Sequence, residues 1–235
     1  MQTGREAVAA LLAGAQSDFI PLHDSPWGDT MRLWTEQGMP TNGDGNPVAA
    51  WEHFGFDMVG CGGWFQWMAR PEDEEVVEET DEWKIVRNGN GALLRWWKQR
   101  SGTPEHLGFQ MTSRAVWENE YKPYLLDNFE VRIGDTEAFR KNLERVRGQG
   151  KWAFFGHMFI WEYLRASLGD VNMFMALVED PEWIRDFNRV YTNLYIECYR
   201  IIFEEAGLPD GIWIYEDLGY RDRLFCRPEI LADLF

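Results

Sequence analysis

Apolar residues recur along this chain with two different periods. Between 181 and 206, Ile184, Phe187, Tyr191, Leu194, Cys198, Ile201 and Glu205 step by threes and fours. That spacing predicts one helix face, apolar until its last member. Asp180 caps it, Pro181 takes the first helical position, and Glu182 favours the positive end of the dipole. Gly207 ends the helix and Pro209 prevents its resumption. The stretch DGIWIYEDLGY at 210–220 follows at once. It predicts a short buried strand, Gly211 to Tyr215, that ends in Glu216 and Asp217 before a turn at Gly219. Helix, short loop and apolar strand make one step of an α/β barrel or a doubly wound sheet. In such folds chemistry sits at the C-terminal ends of the strands.

Elsewhere the pattern predicts a helix over 5–15, a strand over 19–24, and a turn and helix over 26–38. Residues 39–47 read as a loop. The glycines at 55, 60, 62 and 63 lack the spacing and the following helix of a phosphate loop. Two alternating runs, 82–87 and 92–98, flank Asn88-Gly89-Asn90-Gly91, a strong hairpin signal. Residues 106–113 read as another strand, 114–125 and 136–148 as helical, 151–157 as a buried strand, and the residues through Leu168 as an aromatic helix. A last helix begins at Pro228.

Composition narrows the picture. At 235 residues with 45% apolar content the chain is globular, and its 13 Trp and 15 Phe fill a core or face a large planar ligand. A net charge of −16 makes phosphate backbones and anionic lipid poor partners. Eight of the carboxylates fall in 72–82, which reads as a solvated face. Cys61, Cys198 and Cys226 share no metal-ligand spacing, which fits a reducing cytoplasm. The run at 7–15 has the outline of a signal peptide. It is short, alanine-rich and preceded by Glu6, and reads as an ordinary helix. No run approaches the ~18 apolar residues of a membrane span.

Several segments, in their order and spacing, resemble the uroporphyrinogen decarboxylase superfamily, which includes corrinoid-dependent methyltransferases. They are GREAVAALLAG at 4–14, FIPL at 19–22, WGDTMRLWTEQGMP at 27–40 and WKIVRNGNGALLRWWK at 83–98. GHMFIWEYLRASLG at 156–169, ALVEDPEWI at 176–184, DGIWIYEDLGY at 210–220 and PEILADLF at 228–235 complete the set. The resemblance implies a (β/α)₈ barrel, here C-terminally incomplete, with an antiparallel hairpin insertion near 74–112. It also implies an enzyme acting on or beside a tetrapyrrole.

Two departures separate the chain from the haem-pathway enzyme. That enzyme's arginine-rich loop is replaced by DSPWGDTMRLW at 24–34, with Arg32 alone. Its tyrosine motif is only partly matched: Met158 stands for a proline, and Tyr163 falls one place short. The reading therefore leans to methyl transfer coupled to a corrinoid protein. Porphyrinogen decarboxylation and a non-catalytic binding relative are the alternatives. The family's zinc ligands, a His-x-Cys pair and a later Cys, lie in its C-terminal half, which the resemblance would place beyond Phe235, so no metal residue is assigned.

On the barrel reading, His23 and Asp24 end the first strand, His157 ends 151–157, and Glu216 or Asp217 ends the last. All would line one mouth, with Trp27 and Asp29 on its rim. Glu216 shares the parity of Ile212 and Ile214, which favours it over Asp217. His23 and His157 are candidates for proton transfer, and Glu216 for acid–base work if burial shifts its pKa. Asp29, Arg32 and Tyr163 are candidate substrate contacts, with a local cap and ion pair the plainer account of the first two. The tryptophans at 27, 64, 67, 161 and 213 would stack on a planar macrocycle or pack the core. His53 and His106 read as structural.

Overall fold

The computed structural model describes residues 1–235. The chain begins with α1 (Gly4–Leu12), closed at its start by a Thr3–Glu6 capping box. Helices α2 (Gly28–Glu36) and α3 (Ala50–Phe54) and the short strand β1 (Met58–Gly60) follow. Next come β2 (Glu75–Glu79), β3 (Trp83–Arg87), β4 (Ala92–Trp97) and β5 (Glu105–Phe109), an antiparallel sheet in sequence order. A helical turn, α4 (Arg114–Val116), leads to α5 (Thr136–Gly148), β6 (Trp152–Met158), α6 (Ile160–Glu179) and α7 (Pro181–Ala206). The chain continues through β7 (Gly211–Tyr215), the paired β8 (Gly219–Tyr220) and β9 (Arg223–Leu224), and α8 (Pro228–Leu234).

The expected eight-stranded parallel barrel is not present. The parallel sheet has three strands in the order β1-β6-β7. Residues 106–109 lie in β5, paired antiparallel with β4, inside the antiparallel insertion expected near 74–112. Residues 19–24 form no strand, although the Leu22 carbonyl accepts from the Asp57 N–H at 2.8 Å beside β1. The Leu22 N–H is taken by the Asp57 carboxylate at 3.0 Å, and Pro21 has no N–H to give, so a ladder cannot propagate. At the other edge, Ile212, Trp213, Ile214 and Tyr215 of β7 are all 41–50% exposed.

Other expectations are met. Helix α7 runs from Pro181 to Ala206, and the Asp180 side chain accepts from the Trp183 N–H. Its Ile184, Phe187, Tyr191, Leu194 and Cys198 are fully buried in the main core, where α7 packs on α6 and α5. The acidic strand β2 is exposed along its whole length, and β3 and β4 form the hairpin.

The hairpin tip is not a solvent loop. Asn90 is fully buried. Its Oδ1 accepts from the Ala69 N–H at 2.7 Å, and its Nδ2 donates to Ser167 at 2.7 Å and Tyr191 at 3.1 Å. The turn thus plugs into α6 and α7 and fixes the antiparallel sheet on the helical layer. Phe109 of β5 packs where α6 breaks at Gly169 (φ +73°). A Cβ there would lie 2.2 Å from the Phe109 ring.

At the N-terminal side of the parallel sheet, Asp210 forms a buried clasp. Its side chain is 4% exposed and meets Arg5 of α1 at 2.7 Å and Arg147 of α5 at 2.7 Å. Its second oxygen accepts from the Ala153 N–H at 2.9 Å. One carboxylate therefore joins α1, α5, β6 and the start of β7. No helix is both long and apolar enough to cross a membrane.

Candidate functional site

The predicted site residues end up in three separate surroundings, because β6 and β7 have two faces. Parallel neighbours in register share a face, and successive residues of a strand do not. Phe154 and Trp213 lie on one face, and the His23 ring packs against both, with centroids at 5.3 and 4.9 Å. His157, three residues beyond Phe154, points to the other face, into the helical layer. His23 and His157 therefore do not share a mouth.

On the open face, His23 Nδ1 lies 3.0 Å from the Met58 carbonyl, which can only accept. The ring proton sits on Nδ1, and Nε2 remains free to accept. Around this ring lies a groove of about 380 Å³, walled by Asp24, Trp51, Gly60, Phe154 and Trp213. No lysine or arginine lines it. Trp27 is exposed just before α2, outside the groove lining. Asp29 and Arg32 form the local pair, at 3.5 Å, and Asp29 also accepts from the Ser101 N–H at 2.9 Å. That carboxylate holds the 98–101 segment to α2 and is not part of the groove.

His157 is held on every side. Its ring stacks on Phe65 at 4.2 Å, and the Phe65 N–H donates to Nε2 at 3.2 Å. The Phe65 carbonyl lies at the same 3.2 Å from Nε2, and Nδ1 faces the Met158 carbonyl and the Tyr163 hydroxyl. Burial pushes the His157 pKa down and the Tyr163 pKa well up, so both are neutral. Tyr163 is fully buried and stacks on Trp67 at 4.7 Å. This pair organises the loop after β1. Neither residue lines one of the larger cavities.

Glu216 takes a third position. It lies beyond β7 and receives the Trp161 and Glu162 N–H groups of α6, each at 3.0 Å, one on each carboxylate oxygen. Phe159, at the N-cap position, offers no side-chain acceptor. A carboxylate from a neighbouring strand thus does the capping, about 55 residues away in sequence. Burial pushes Glu216 up to about 7, against the pull of the two N–H groups. It also borders an apolar cavity of about 710 Å³ between the start of α6, α7 and α8. Asp217 is exposed, 3.7 Å from Arg165.

Some organising residues carried no sequence signal. Asp210 stood before a strand with no patterned partner. Arg132, between apolar Val131 and Ile133, is 7% exposed and donates to the Gln66, Met68 and Tyr124 carbonyls. It fixes the loop that carries Phe65 and Trp67. No group of three or more His, Cys, Asp and Glu is placed to hold a metal ion. Compared with models of known families, with curated proteins and with solved structures, the chain matches none.

Proposed function

We propose that the open face of the parallel sheet is the substrate face of an enzyme of the uroporphyrinogen decarboxylase kind, acting on or beside a tetrapyrrole by methyl transfer with a corrinoid protein. The proposal rests on the segments that resemble this superfamily and on the groove around His23, not on a closed barrel. One observation carries it: His23, Phe154 and Trp213 form an aromatic wall in a groove that no lysine or arginine lines. Aromatic walls favour a flat, weakly charged ring system. A porphyrinogen with eight acidic side chains needs several cations to hold it. The nearest candidate from the sequence, Arg32, is paired with Asp29.

In this reading Trp213 and Phe154 bind and orient the macrocycle. His23, through its free Nε2, accepts a proton from a bound acceptor substrate, and Asp24 stands beside it at the mouth. A bound corrinoid would supply the methyl group. The test is titration of the full chain with hydroxocobalamin and, separately, with uroporphyrin, followed by the visible spectrum. Saturable cobalamin binding that Trp213→Ala weakens by roughly tenfold, the scale of one lost stacking contact, supports the reading. Preference for uroporphyrin would move it to decarboxylation. Binding of neither would overturn it.

A further inference from the structure

A third cavity, of about 730 Å³, lies between the antiparallel sheet and the C-terminal end of β6. Its walls include Trp67, Trp96, Trp97, Leu94 and Met158. We propose that it binds a flat aromatic carboxylate, with the ring between the tryptophans and the acid group at Lys84 and Asn88. This site is on the other sheet from the groove around His23 and is independent of that reading.

Asn88 carries the argument. It is 8% exposed and lines the cavity. Its Oδ1 accepts two backbone N–H groups, from Asn90 at 3.0 Å and Ala92 at 2.9 Å. Those two donors fix which end of the amide is oxygen. The Nδ2 end makes no hydrogen bond within the protein. It is reached by solvent at the cavity wall, so a ligand acceptor there can replace water on a donor already locked in orientation. The turn chemistry of Asn88-Gly89-Asn90-Gly91 needs an acceptor at Asn88, which an aspartate would supply equally well. The donor is what the turn leaves unused.

Lys84 supplies the charge. It lines the same cavity from β3, next to Trp96 in register across β4. The carboxylate facing it across β2, Glu79, is paired with Lys98 at 2.7 Å, and Lys84 itself has no ion-pair partner. A donor and an unpaired ammonium beside an aromatic wall are complementary to an aryl carboxylate. Glu74 also borders the cavity. Its charge opposes a second anionic group, so a monoacid fits better than a diacid.

The experiment is calorimetric titration of the full chain with 2-naphthoate, and with 2-naphthylmethylammonium as the cationic counterpart. Naphthoate should bind saturably below about 1 mM, and the cation should not. Asn88→Asp keeps both turn hydrogen bonds and replaces the open donor with an oxygen. Lys84→Gln removes only the charge from an exposed side chain. Each should weaken naphthoate about tenfold, the scale of one charge-assisted hydrogen bond. Trp213→Ala, on the other sheet, should leave the affinity unchanged. No saturable naphthoate binding, equal binding of the cation, or wild-type affinity in Lys84→Gln would overturn the proposal. If Asn88→Asp loses its cooperative thermal transition, Lys84→Gln alone decides.

Discussion

Replacing Asp210 with alanine should be among the most damaging single changes away from the apolar core. The substitution removes one acceptor oxygen shared by Arg5 and Arg147 and another that holds the Ala153 N–H. Breaking a buried pair by removing one partner costs about 3–5 kcal/mol, because the remaining charge loses its compensation. Arg5 is 48% exposed and Arg147 29%, so water recovers part of that loss. The expected cost is therefore at the low end, about 3 kcal/mol. In a chain of this size that corresponds to roughly 6–12 °C in Tm. Asp210→Asn should cost less, since its carbonyl can still accept from Ala153. Urea unfolding followed by far-UV circular dichroism reads both. The pH dependence has a definite sign. Burial pushes the Asp210 carboxyl up, but Arg147, the Ala153 N–H and Arg5 outweigh it and hold it below its ordinary 3.8. The stabilisation is present above that value and is lost as pH falls through the lowered pKa. Alanine and asparagine variants both within about 0.5 kcal/mol of wild type, the range of an ordinary surface change, would refute the clasp.

Glu216→Gln keeps one of the two acceptors at the start of α6, as the protonated acid does, and should match wild type near pH 4.5, read by urea midpoint. Because burial raises Glu216 from 4.5 to about 7, the folded state holds its proton longer than the unfolded one. Wild-type stability should therefore fall, relative to Glu216→Gln, as pH rises from about 4.5 through 7, and a flat difference would count against the buried cap. Leu194→Ala, in the fully buried face of α7, should cost roughly 2–5 kcal/mol by the same assay. Gly169→Ala should lower Tm, since its positive φ is strained for alanine and the added Cβ meets the Phe109 ring; an unchanged Tm would show that the break in α6 tolerates a side chain.

What was legible in the sequence shares one property: it is decided within about one or two turns of chain. The bounds of α7 follow from Asp180, Pro181 and Gly207 together with a 3.6-residue period, all local. The hairpin follows from a four-residue turn between alternating runs. Parallel strands need a long crossover, and α6 and α7 together supply it between β6 and β7.

The sheet's size and the site were decided by contacts between distant segments. Residues 19–24 have the composition of a strand, and composition does not say whether a partner is free to pair with it. Asp57 captures the backbone N–H that the run needed. His23, His157 and Glu216 all read as strand-end residues. Which sheet face each occupies depends on register, and a shift of one residue exchanges the faces. Glu216 became a helix cap because Phe159 offers no side-chain acceptor to α6 and the end of β7 lies close by. Asp210 meets Arg5 across 205 residues. No pattern along the chain records a pairing at that separation, because the loop entropy it must overcome is repaid only once the strands and helices between have packed.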